Sequence, residues 1–128
     1  MTLRIVQLGS PRKRGEGVRL GTVRRPPRGV PKNRYAADDW FDVWFPNLSP
    51  SRELMEELRS DRSPRAWEKF ARGFRREMAL PDKRRVLDML AALSHSSNLS
   101  VGCFCSNEEW CHRSLLREEL EERGAKIR

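Results

Sequence analysis

The residues best suited to chemistry lie close together near the end of this 128-residue chain. Cys103, Cys105 and Cys111 fall within nine residues, and His112 and Arg113 follow directly. An odd number of cysteines in a chain without secretory features argues against a disulfide framework. The segment could instead bind an anion or a metal, carry out thiol chemistry, or simply pack in the core.

The first interpretation is an anion site, because a strand, a short loop and a helix are predicted around this segment. Free N–H groups at a helix N-terminus favour phosphate, and His112 and Arg113 could donate further hydrogen bonds. Ser106 and Glu109 have the spacing of a capping box, whose carboxylate would compete for the same amides. The anion interpretation therefore improves if the helix begins later, near Cys111.

The second interpretation is a metal site. Cys103, Cys105, Cys111 and His112 offer four potential ligands, and zinc takes tetrahedral sets of this composition. Two features oppose it. The spacing lacks a Cys-x2-Cys knuckle, and adjacent residues such as Cys111 and His112 project about 100° apart on a helix. The sequence therefore predicts no cofactor, with zinc as the alternative.

Thiol chemistry and burial are the remaining interpretations. Cys105 or Cys111 could be a nucleophile with His112 as its base, although no third residue that would orient the histidine is evident. Cys103 and Cys105 would share one face of a strand, which brings two thiols together for redox chemistry. The Cys-x5-Arg spacing of a phosphatase loop is missing, which argues against that reaction. Because cysteine is among the most buried residue types, all three can also be structural.

Positive charge is concentrated in the first third of the chain. Residues 1–35 hold ten basic residues and one acid, whereas residues 36–128 hold 16 basic and 17 acidic residues. A basic segment can bind nucleic acid through phosphate contacts without sequence preference. The cluster of Arg12, Lys13 and Arg14 fits that role, or its charges pair with acidic side chains of the body. The N-terminal third is thus the candidate surface for a nucleotide or nucleic-acid partner.

A second arginine cluster lies in a proline-rich run between residues 24 and 31. Pro26, Pro27 and Pro31 would stiffen this loop and hold nearby guanidinium groups in place. The planar donor fork of arginine suits phosphate and carboxylate. Arg25 and Arg28 are therefore candidate anion ligands.

Apolar periodicity and turn residues predict a small α/β domain. Strands are predicted at residues 3–8, 38–45 and 99–104, with a shorter one near 18–23. Helix starts are predicted at Ser49-Pro50, Ser63-Pro64 and Pro81, and a last helix from about 107 to 123. The order predicts one domain over residues 1–128, layered, with a short, partly parallel sheet flanked by helices.

The four tryptophans differ in their predicted surroundings. Trp67 lies on an amphipathic helical stripe and is expected in the core. Trp40 and Trp44 are expected to pack on the sheet. Trp110, beside the cysteines, is the predicted pocket aromatic, where it could stack a base.

Several stretches together resemble the domain-of-unknown-function 488 family, the YeaO-like proteins. They are Arg24–Val30, similar to the family's Arg-x-Trp-Pro-Arg-Gly, Asp42–Ser51, similar to its Trp-x5-Pro-Ser, and Trp67–Glu77, similar to its Trp-x-x-Phe helix. Pro26 stands where the family usually has tryptophan. The Cys111-His112-Arg113 ending is more similar to other branches of the family than to the YeaO ending. The resemblance implies a small cytoplasmic α/β domain and no assigned reaction.

These observations lead to one main hypothesis and one of a different class. The main hypothesis is recognition of a phosphate-bearing ligand, a nucleotide or nucleic acid, at the C-terminal edge of the sheet. Arg25, Arg28 and Arg113 would bind the anion, with Cys105, Cys111 and His112 as catalytic candidates. The alternative is a non-enzymatic basic interaction module with structural cysteines. No apolar run is long enough to cross a membrane, and a cytoplasmic location is expected.

Overall fold

The computed structural model describes residues 1–128 and contains one four-stranded sheet. The strands are β1 (Leu3–Gln7), β2 (Val18–Gly21), β3 (Val43–Trp44) and β4 (Leu99–Cys103). Their order is β1-β4-β2-β3, and every pairing is parallel. The predicted α/β class is confirmed, and the sheet is wholly rather than partly parallel. Every residue of β4 is buried, as expected of a strand in the middle of a parallel sheet.

Four helices follow from local start signals in the sequence. They are α1 (Arg52–Ser60), α2 (Pro64–Met78), α3 (Pro81–Leu93) and α4 (His112–Glu122). The Ser63 side chain accepts a hydrogen bond from the Ala66 amide, and Pro64 and Pro81 occupy first helical turns, as predicted. The helix start predicted at Ser49-Pro50 is wrong. Ser51 is the N-cap residue instead, and it accepts from the Leu54 amide.

The two faces of the sheet are covered differently. Leu99 and Val101 belong to the main core beneath the helices. The other face is covered by irregular chain, where the Phe41 ring packs against Gly21. A Cβ at Gly21 would lie 2.3 Å from the ring, so only glycine fits at this close approach.

A buried ion pair fastens the basic segment between β1 and β2 to that second face. Arg19 is fully buried, and its guanidinium donates to Glu16 at 2.7 and 2.9 Å and to the carbonyl oxygens of Ser10 and Asp39. The Ser100 hydroxyl also donates to Glu16 at 2.8 Å. Burial alone would raise the pKa of Glu16, but the hydrogen bonds from Arg19, Ser100 and Lys13 lower it to about 2. The part of the basic N-terminal segment that contains Glu16 and Arg19 is therefore an integral part of the fold.

The aromatic stretch predicted as a strand over 38–45 is mostly a turn. Only Val43–Trp44 pairs with β2. Asp39 has a φ of 62°, and its carbonyl oxygen accepts hydrogen bonds from Gly9 and Arg19. Because these partners lie far away in sequence, the local aromatic pattern could not reveal them. Trp40 consequently leaves the sheet plane and takes part in a loop.

The last helix begins five residues later than predicted, at His112 rather than near Asn107. A short 3₁₀ turn covers Glu108–Trp110 and is capped by the Asn107 side chain, so the predicted Ser106–Glu109 capping box is wrong. Glu108 pairs with Arg117 at 2.8 Å, and no side chain caps α4. Cys111 is therefore the extended N-cap residue of α4, with φ −131° and ψ 148°.

No helix has the length and apolar character required to cross a membrane.

Candidate functional site

A cleft of about 740 Å³ opens at the carboxyl ends of β2 and β4. One wall is the loop that follows β2, and the facing wall is α1. The floor comes from the end of β4 and the start of α4. Charged, aromatic and thiol side chains line the cleft: Arg24, Arg25, Arg28, Trp40, Arg52, Glu56, Arg59, Cys103, Phe104, Cys105 and His112. Ligands of open α/β sheets bind at this edge, where the strands end.

Arginines dominate both walls of the cleft. The β2 loop contributes Arg24, Arg25 and Arg28, and α1 contributes Arg52 and Arg59, against a single acid, Glu56. Arg52 pairs with Glu56 at 2.9 Å. The other four guanidiniums, at Arg24, Arg25, Arg28 and Arg59, make no hydrogen bond or ion pair with the protein. Elsewhere in the chain some arginines, such as Arg12 and Arg117, are paired with acids, and others have no acidic partner.

Two aromatic side chains stand beside these guanidiniums. Trp40 and Phe104 both line the cleft, with ring centroids 5.6 Å apart in an edge-to-face arrangement. The Trp40 ring lies close over Gly9, which has a φ of +91° and no side chain to displace it. Phe104 is 37% exposed although it is large and apolar. Exposed rings next to cations provide a surface on which a flat heterocycle can stack.

The three cysteines converge at the floor of the cleft from different elements. Cys103 ends β4, Cys111 caps α4, and each is only 2% exposed. Cys105 lies just past β4 and is exposed. Cys103 and Cys105 line the cleft, whereas Cys111 sits behind them in a small apolar cluster with Cys103 and Phe41. The predicted sharing of one strand face by Cys103 and Cys105 is wrong, since the strand ends at Cys103.

His112 is buried at the start of α4 and is held in one orientation. Its Nε2 lies 2.8 Å from the carbonyl oxygen of Thr22 and 3.3 Å from the Thr22 hydroxyl. Because a carbonyl oxygen can only accept, Nε2 carries the proton and Nδ1 keeps its lone pair. Nδ1 lies 3.7 Å from the Cys111 sulfur. Burial lowers the pKa of His112 to about 4, so the ring is neutral at pH 7.

The thiols influence one another's protonation. Hydrogen bonds from Cys103 and Cys111 lower the pKa of Cys105, and the positive charge of Arg113 adds to the effect. The hydrogen bond to Cys105 raises the pKa of Cys103. For Cys111, the contact with Cys103 lowers the pKa, but donation to Cys105 and burial outweigh it and raise the pKa to about 11. The exposed sulfur is thus the one that carries negative charge most readily.

Arg113 supports the site from behind. Its guanidinium is buried and donates to the Cys105 carbonyl oxygen at 2.5 Å, while its Nε has no hydrogen-bond partner. It does not line the cleft. Arg25, Arg28, Cys105 and His112 therefore share one cavity, and Arg113 fixes the loop that forms its floor. An anion-binding role for Arg113 stays a prediction.

Some lining residues were missed from the sequence. Trp110 does not line the cleft; it packs on Trp67 with ring centroids 5.5 Å apart. Trp40 takes the place that was predicted for Trp110. Arg52 and Arg59 are not among the site residues predicted from the sequence, although their spacing with Glu56 puts all three on one face of a helix. That spacing is the sequence signal from which the two arginines could have been predicted to lie together.

Comparison with protein families identifies the family of this chain. A family profile described as DUF488-N3a, active DUF488-N3 subclade, matches residues 3–124. The chain belongs to the DUF488-N3a family. The expected membership of the domain-of-unknown-function 488 group is thereby confirmed. For this DUF488-N3a chain, comparison with curated proteins and with solved structures finds no significant match.

Proposed function

We propose that the cleft binds a phosphate-bearing ligand of the nucleotide class. The observation that carries this proposal is the set of four unpaired arginines, Arg24, Arg25, Arg28 and Arg59, around one cavity at the carboxyl edge of a parallel sheet. Guanidinium groups without a protein partner are available for charge-assisted hydrogen bonds to phosphate oxygens. Other arginines, such as Arg84 and Arg85 on α3, also lack acidic partners, so the support comes from the grouping of four unpaired guanidiniums around one cavity.

The shape and the aromatic lining narrow the ligand class. A cavity of about 740 Å³ falls within the range of roughly 300–1,000 Å³ that is typical of small-ligand sites. Trp40 and Phe104 offer ring surface next to the arginines. A ligand with both phosphate and a flat ring would use both parts of the cleft, whereas inorganic phosphate would use only one.

Binding assays with a labelled mononucleotide and a labelled single-stranded oligonucleotide test the proposal. The double variant Arg25→Ala with Arg28→Ala removes two unpaired guanidiniums, and we expect affinity to fall at least about 10-fold, since charged hydrogen bonds contribute about 1.5–3 kcal/mol each. The matched control is Arg84→Ala with Arg85→Ala, which removes the same charge from exposed positions on α3. Equal loss in both double variants would show that only net charge matters and would overturn the proposal.

A salt series separates the proposed cleft from a basic interaction module. Non-specific binding of nucleic acid weakens steeply as salt rises, because each neutralised phosphate releases counterions. Mononucleotide binding in a partly enclosed cleft should respond less. The chain could bind the oligonucleotide but not the mononucleotide, and lose that binding when Lys13 and Arg14, rather than the cleft arginines, are replaced. That result would favour the interaction module.

A further inference from the structure

We propose that Cys103, Cys111 and His112 form a zinc site with three protein ligands. One ligand atom from each residue lies within 4.8 Å of the other two, and all three side chains are buried. The Cys111 sulfur and the His112 Nδ1 are 3.7 Å apart. Bond lengths of about 2.3 Å to sulfur and about 2.0 Å to nitrogen place tetrahedral ligands roughly 3.5–3.8 Å apart. The three atoms therefore need only a small contraction to hold one ion.

The orientation of the histidine is independent support. Zinc-binding histidines commonly donate their second ring N–H to a backbone carbonyl or a carboxylate, which fixes both the tautomer and the ring. The Thr22 carbonyl does this at the His112 Nε2, 2.8 Å away. Thr22 is itself fully buried, and its hydroxyl donates to the Gly102 carbonyl at 2.9 Å. The unprotonated Nδ1 consequently faces the Cys111 thiol, as a ligand atom must.

The local backbone removes an objection raised by the sequence. Adjacent residues within a helix diverge by about 100°, which would separate Cys111 from His112. Cys111 instead lies outside the helix with an extended backbone, while His112 is the first helical residue. This change of conformation between the two residues brings their side chains together. Cys103 approaches from the end of β4, so that three different backbone environments hold the site.

The fourth coordination position faces the cleft. Cys103 and His112 both line the cleft, and Cys111 closes the site from behind. Cys105 is exposed; its sulfur interacts with those of Cys103 and Cys111, but it is not among the three ligand atoms that all lie within 4.8 Å of one another. The site is thus of the open kind, in which zinc keeps one position for water or for a group of a bound ligand. Two thiolates would balance the charge of the ion.

Metal binding to the full chain tests this site directly. Protein freed of metal with a chelator should take up one equivalent of Zn²⁺ or Co²⁺, and the Co²⁺ form should show thiolate charge-transfer and tetrahedral absorption bands. Cys111→Ser and His112→Gln should each weaken metal binding at least about 100-fold, since even the loss of outer-shell partners costs 10–100-fold. Cys105→Ser should keep one equivalent of metal, because Cys105 is not among the three proposed ligands. The matched control is His95→Gln at the chain's other histidine, which is exposed and lies outside the site.

A second measurement on the unaltered chain guards against variants that fail to fold. Zn²⁺ should protect Cys103 and Cys111 from alkylation under mild denaturant, as read by peptide mass mapping, and should raise the melting temperature. Failure to bind one equivalent, retention of the metal by Cys111→Ser and His112→Gln, or loss of the metal in Cys105→Ser would each overturn the proposal. Because the probe is the metal alone, the outcome is independent of nucleotide binding.

Discussion

The buried Glu16–Arg19 pair is expected to make a contribution to stability that depends on pH. The Glu16 carboxylate accepts hydrogen bonds from Arg19, Ser100 and the Lys13 amide. Its pKa of about 2 in the folded chain lies below its ordinary value of 4.5. At 1.36 kcal/mol per pKa unit, this difference corresponds to about 3 kcal/mol of stability at pH 7.

The sign of the pH dependence follows from the direction of the shift. A carboxyl whose pKa is lowered by folding contributes its full stability above its unfolded pKa, and the contribution is lost as pH falls toward the folded value. The contribution of Glu16 should therefore drop from about 3 kcal/mol at pH 7 to about 1 kcal/mol at pH 3. Below pH 2 it should vanish.

Urea unfolding of the unaltered chain and of Glu16→Gln at pH 7 and pH 3 measures this contribution. At pH 7 the variant should lose about 3 kcal/mol or more, because an uncompensated Arg19 charge would remain buried. Glu53→Gln is the matched control: Glu53 is exposed in the first turn of α1 and makes no ion pair, so its replacement should change stability by less than about 0.5 kcal/mol. A loss below about 1 kcal/mol for Glu16→Gln, or an equal loss at both pH values, would refute the reasoning.

Three further predictions concern packing, capping and binding. Gly21→Ala should cost about 1–3 kcal/mol in urea unfolding, since its Cβ would meet the Phe41 ring at 2.3 Å; an unchanged midpoint would contradict that packing. Ser63→Ala should cost about 1 kcal/mol by loss of the α2 cap, and Ser63→Asp should restore the stability. Trp40→Ala should weaken mononucleotide binding by about 1–3 kcal/mol while leaving binding of inorganic phosphate nearly unchanged; equal effects on both ligands would argue against stacking.

Elements with local signals could be predicted from the sequence. Helices α2 and α3 begin where a capping serine or a proline marks the first turn, and β4 lies in a short, largely apolar run that follows Asn98. These features act between neighbours in the chain. They needed no knowledge of the tertiary structure.

Elements that depend on distant partners could not be predicted. The turn around Asp39 is stabilised by hydrogen bonds that its carbonyl oxygen accepts from Gly9 and Arg19. The late start of α4 accompanies the Glu108–Arg117 pair, and the tautomer of His112 is set by Thr22, ninety residues away in sequence. Such contacts leave no periodic trace in the sequence.

In the candidate site, too, some features could be predicted from the sequence and others depended on the tertiary structure. The chemistry of Arg25, Arg28, Cys105 and His112 could be read from residue type and motif, and the structure brings them to one cavity. That Arg113 would point behind the cavity, and that Cys105 would be exposed while Cys103 and Cys111 are buried, depended on the end of β4 and the start of α4. Residue types indicated which side chains could take part in the site, and backbone conformation determined which of them lie together.

The most direct test of the proposed cleft is NMR titration of the labelled chain with a nucleoside monophosphate. Binding in the cleft predicts saturable shifts of the Nε–H signals of Arg25 and Arg28 and of the indole N–H of Trp40, with little change at Arg84 and Arg85. Shifts confined to Lys13 and Arg14, or no saturable shift at any cleft residue, would contradict the assignment of this cavity to a phosphate-bearing ligand.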